Sequence, residues 1–148
     1  MSEIDTLEAL FPLDDPDPDE FDTAVAAVAG VAVPEDIPRI YRLIDDHCPY
    51  SGLMASLLGS LAAHDPAVLV QAFVAHGAAL RAKSPSFYGE HLKSLVLTQP
   101  HRELLAKALN GVSVEERAAV RSVLSKVVRG AKQELAATEF LERLGDSA

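Results

Sequence analysis

"DPDPDEFDTAVAAVAG", residues 15–30, holds both a helix-breaking segment and the start of a helix. Two prolines among like-charged carboxylates cannot continue a helix, so residues 14–20 read as a loop. The helix begins within the same stretch, with Asp17 as N-cap, Pro18 at the first helical position and Glu20 at the third. The apolar run after Phe21 shows no alternation of period two, and Gly30 reads as its stop.

The same signals recur along the chain. Pro34 opens a second helix whose apolar side is Ile37, Ile40, Tyr41 and Ile44. A third runs from about Ser51 to Ala63 with Leu53, Leu57, Leu58 and Leu61 inward and Met54 among them. Asp65-Pro66 starts a fourth with the stripe Leu69, Phe73, His76 and Leu80. Ser84-Pro85 starts a fifth, where Phe87, Leu92, Leu95 and Val96 alternate with His91 and Lys93. Pro100 starts a sixth, closed by Asn110-Gly111. Ser113 to Glu116 is a capping box for a seventh carrying Val120, Val123, Leu124, Val127 and Val128. The eighth holds Leu135, Phe140, Leu141 and Leu144, with Gly130 before it and Gly145 ending it. No alternating strand flanked by hairpin turns appears.

The expected fold is therefore all-α, a single domain of about eight antiparallel helices, because helices joined by short turns pack on their sequence neighbours. The caps share no fixed spacing, which favours irregular HEAT-like stacked helical hairpins over a consensus repeat. Residues 1–20 read as an acidic N-terminal segment and loop, and 21–148 as one helical domain.

The net charge of −9 is unevenly placed. Residues 1–48 carry 13 acidic side chains against Arg39 and Arg42, a net −11, whereas residues 49–148 carry 11 bases against 9 acids. A field of one sign repels phosphate backbones and anionic lipids, so neither nucleic acid nor membrane is an expected partner. It attracts basic proteins. The opening residues lack the basic and apolar parts of a secretory leader, and no apolar run is long enough to span a bilayer, so a cytoplasmic location is expected.

Asp45, Asp46, His47 and Cys48 form the densest group of chemically active side chains, but four consecutive residues at a helix end splay apart instead of converging on a metal. Cys48 follows two acids near a helix C-terminus, and both features oppose thiolate formation. Pro49 accounts for the break. His76 reads as a core histidine on an apolar stripe. Gly52, Gly59, Gly77 and Gly89 each cost up to about 1 kcal/mol relative to alanine within a helix, so close helix contact is their expected use. Arg117, Arg121, Lys126, Arg129 and Lys132 read as a solvated face. Neither an enzyme nor a cofactor is expected from this inventory.

"IYRLIDD" (40–46), "GLMASLLGSL" (52–61), "SPSFYGEHLKSLV" (84–96) and "HRELLAKAL" (101–109) follow one another in a pattern that resembles the helical immunity proteins of bacterial polymorphic-toxin systems, in particular the immunity protein 30 group. The resemblance spans about residues 37 to 124, and Asp45 and Asp46 are the positions that match. It implies a protein that binds and neutralises a cognate toxin by protein–protein contact. Charge points to a basic toxin domain such as a nuclease, met by Asp45 and Asp46 with Asp14, Asp15, Asp17, Asp19, Glu20 and Asp22. The alternative expectation is a helical adaptor or scaffold not tied to a toxin.

Overall fold

The computed structural model describes residues 1–145. Among them are nine α-helices, one 3-10 turn and no strand. They are α1 (Glu3–Glu8), α2 (Pro18–Val31), α3 (Asp36–Leu43), α4 (Ser51–Gly59) with the 3-10 turn Ser60–Ala63, α5 (Pro66–Lys83), α6 (Pro85–Leu97), α7 (His101–Leu109), α8 (Val114–Val127) and α9 (Gly130–Arg143).

The helix beyond the expected eight is α1. Ser2 Oγ accepts the Asp5 N–H at 3.3 Å while Asp5 Oδ2 accepts the Ser2 N–H at 3.1 Å, a complete capping box. Ile4 and Leu7 are buried in the same core as the later helices, so the acidic N-terminal segment is packed onto the helical body. Arg39 on α3 holds it there, donating to Asp5 Oδ1 at 2.7 Å and to Glu8 Oε2 at 3.0 Å.

Helix α2 starts as its sequence dictates: Asp17 Oδ1 accepts the N–H groups of Asp19 (2.9 Å) and Glu20 (3.4 Å). It ends later than Gly30, which lies inside the helix; Ala32 takes the left-handed capping conformation with φ 45. Helix α3 ends earlier than Pro49, at Leu43, and Ile44 continues in extended backbone while staying fully buried.

The inner faces of α5 and α6 differ from expectation by one position each. On α5 the buried stripe is Leu69, Phe73, Gly77 and Leu80, while His76 is exposed. On α6 it is Tyr88, His91, Leu92, Leu95 and Val96. A small residue is needed where Tyr88 enters: a Cβ at Gly77 would lie 3.4 Å from the Tyr88 ring. Gly89 lets α8 approach α6, since its Cβ would lie 2.8 Å from Val127 Cγ1. Gly52 and Gly59 face open space, so close packing does not explain them.

Packing joins alternate helices as much as successive ones. Helix α5 lies against α3, α6 and most extensively α7; α7 in turn meets α9, and α6 meets α8. Two expectations about the last helices change with this packing. Arg117 is buried, donating to the carbonyls of Leu109 (3.3 Å) and Val112 (2.6 Å) at the end of α7, and Arg121 donates to the Gly145 carbonyl at 2.9 Å. These two side chains close helix ends instead of forming a solvated face. Leu135, expected in the core, is 72% exposed.

Candidate functional site

The acidic surface begins at the N-terminus of α2. Asp14, Asp15, Asp17, Asp19, Glu20 and Asp22 are all exposed. The first turn of a helix favours negative charge, so Asp17, Asp19 and Glu20 sit where the helix dipole stabilises them. Asp15 adopts φ 47, a left-handed conformation that aspartate tolerates better than most residues. Its N–H donates to the Tyr50 hydroxyl at 3.1 Å. This bond ties the 14–20 loop to Tyr50, in the segment that follows Asp45 and Asp46.

That segment is a tight turn rather than a frayed helix. Asp45 Oδ1 accepts the His47 N–H at 2.9 Å, and the Asp45 carbonyl accepts the Cys48 N–H at 3.1 Å. Asp46 faces the other way. Its Oδ2 accepts the Ser86 N–H at 2.8 Å and its Oδ1 accepts the Phe87 N–H at 3.0 Å. Ser84, the local N-cap of α6, makes no side-chain cap bond there and instead donates its hydroxyl to the Ile44 carbonyl at 3.1 Å. Asp46 thus caps α6 from a distant part of the chain, and both its oxygens are engaged within the protein.

Few cations offset these acids. Arg39 is committed to Asp5 and Glu8; its guanidinium and the Ser2 contacts hold the Asp5 carboxyl down at about 2, and the same guanidinium lowers Glu8. Arg42 and Lys83 are exposed beside a groove of about 520 Å³ floored by Phe11, Pro12, Leu13, Leu43, Pro49 and Met54. Asp45, His47 and the half-buried Cys48 complete its wall.

The interior holds histidines that the helical pattern alone places elsewhere. His91 is 5% exposed, and its Nε2 shares a hydrogen bond of 2.9 Å with the Tyr41 hydroxyl. Phe73 packs edge-on against the imidazole, and Tyr88 stacks on Phe73. Burial pushes His91 down to about 4 and the Tyr41 hydroxyl well up, so both are neutral near pH 7. His64 is also buried and lowered by desolvation, and Asp36 is raised by the same cause. Burial and neighbouring aromatics explain the Tyr41–His91 pair as a core hydrogen bond.

Among the described residues no three His, Cys, Asp or Glu side chains are grouped so as to hold a metal ion, and no helix is long and apolar enough to cross a membrane. No protein-family model, curated protein or solved structure matches the chain.

Proposed function

We propose that this chain is an immunity protein that binds a basic toxin domain of the same or a related cell and neutralises it by occupying its surface, without catalysis. The observation that supports the reading is the joint exposure of Asp14, Asp15, Asp17, Asp19, Glu20 and Asp22 around the start of α2, in a loop that the Asp15–Tyr50 bond ties to the segment following Asp45. Such a field speeds the encounter with a basic domain and penalises partners of like charge. Carboxylates arrayed in this way mimic the phosphates that a nuclease cleft accepts. Asp14, Asp15, Asp17, Asp19, Glu20, Asp22 and Asp45 form the docking surface, and Asp46 supports it by capping α6.

The scaffold suits this role. We infer a HEAT-like stack of helical hairpins, supported by the successive packing of α3, α5, α7 and α9 with α6 and α8 beside them. Recovery of one stoichiometric basic domain from native cells, identified by mass spectrometry and made harmless in a co-expressing strain, is the expected result. A set of unrelated partners, none of them toxic alone, would refute the immunity reading and favour an adaptor.

A further inference from the structure

The cations Arg42 and Lys83 lie on a saddle between two grooves. One is the groove of about 520 Å³ already described; the other, of about 410 Å³, runs between α3 and α5 and is lined by Pro38, Tyr41, Ala79 and Leu80 with His76 at its edge. Both Arg42 and Lys83 border both grooves. Lys83 is the last residue of α5 and donates to the Arg42 carbonyl at 2.5 Å near the end of α3. This contact fixes the two residues together, and among the described residues neither side chain forms an ion pair with a carboxylate.

We propose that this pocket–saddle–pocket surface binds an extended peptide segment of a partner protein in which one Asp or Glu stands between two apolar side chains. The carboxylate meets Arg42 and Lys83 on the saddle, and the apolar side chains enter the two grooves. Charge complementarity selects the acid, since Arg42 is the one base of residues 1–48 left over once Arg39 has paired with Asp5 and Glu8. A single carboxylate suits the saddle better than a phosphate dianion: Arg42 and Lys83 both sit in the last turns of their helices, whose negative ends oppose any anion and oppose two charges more than one. The first groove shares Asp45 with the acidic face, whereas Arg42, Lys83 and the second groove lie outside it, and the proposal does not rest on the toxin reading.

The test is to pan a displayed library of random heptapeptides with the full chain and to synthesise the most enriched sequence. The expected consensus has an acid between two apolar residues. Binding should weaken about tenfold or more when the acid becomes Gln, and equally in an Arg42→Gln, Lys83→Gln variant, as loss of a charged hydrogen bond requires. Arg42→Gln alone leaves the Lys83–carbonyl bond in place and should still weaken binding, which covers the case of a double variant that fails to fold. Asn substitutions at Asp14, Asp15 and Asp19 remove like charges and should not weaken peptide binding, so this site stands or falls apart from the acidic face. No enrichment, a consensus without the acid, undiminished binding by a folded Arg42→Gln protein, or preference for phosphoserine over Glu would each overturn the proposal.

Discussion

Asp46 and Phe87, 41 residues apart in the chain, are joined by a 3.0 Å hydrogen bond from the Phe87 N–H to Asp46 Oδ1. With the Ser86 N–H on the other oxygen, one carboxylate satisfies two amides at the start of α6. Asp46→Ala should therefore lower unfolding free energy by about 1 kcal/mol, the usual cost of a lost N-cap. Asp46→Asn keeps one acceptor and should lose less. Urea denaturation of both, beside Asp45→Ala as a control on the neighbouring turn, measures this; a neutral Asp46→Ala would remove its capping role.

The two kinds of glycine predict opposite signs. A methyl at Gly89 would meet Val127 Cγ1 at 2.8 Å, so Gly89→Ala must push α8 away or displace Val127. The expected loss is about 1–3 kcal/mol, typical of overpacking. Gly59→Ala meets nothing within 4 Å in helical backbone and should gain up to about 1 kcal/mol from helix propensity. Thermal unfolding of the pair tests the α6–α8 contact, and a stabilised Gly89→Ala protein would contradict it.

Acid should loosen the core through its buried histidines. His91 binds its proton at about 4 in the folded chain against 6.5 unfolded, so between those values the unfolded state holds more protons. Its contribution is present above pH 6.5 and is lost as pH falls toward 4, by about 3 kcal/mol in all. His64 adds to the same window because its folded value is also lowered. Asp5 and Glu8, both lowered, act below it, losing their contribution as pH falls through the carboxylate range. Asp36, raised by burial, has the opposite sign. Stability curves at pH 7 and 5 should diverge for the wild type and lie closer together for His91→Gln; an unchanged pH slope in the variant would exclude His91 as the main source.

Local signals are legible in the sequence because their partners lie a few residues away. Asp17, Asp65 and Ser113 each accept a hydrogen bond from the helix they precede, as their spacing to Pro18, Pro66 and Glu116 indicates. Long-range partners leave no such mark. Glu116, placed for a capping box with Ser113, instead accepts two bonds from Arg81 at 2.8 and 2.9 Å. Asp46 looks like any acid beside a turn until α6 is packed next to it. His76 and His91 depart from expectation for a geometric reason: a helix turns about 100° per residue, so Gly77 and not its neighbour His76 completes the stripe of Leu69, Phe73 and Leu80, and His91 shares the buried face of α6 with its neighbour Leu92. The acidic character of the first third is legible from composition, whereas the Asp15–Tyr50 bond that ties its loop to the segment after Asp46 requires the fold.

The central claim is that the exposed acids at the start of α2 steer a basic partner, and its most direct measurement is an association rate. The toxin domain recovered from native cells is mixed with wild type and with the variant carrying Asp14→Asn, Asp15→Asn, Asp17→Asn and Asp19→Asn, in which Asn at position 17 preserves the helix cap. Association should be slowed about tenfold or more at low salt, and the two rates should converge at high salt, where exposed charges are screened. Dissociation should change little, as expected of rim charges. Equal association rates at every salt concentration would contradict the acidic docking surface and with it the proposed mode of toxin neutralisation.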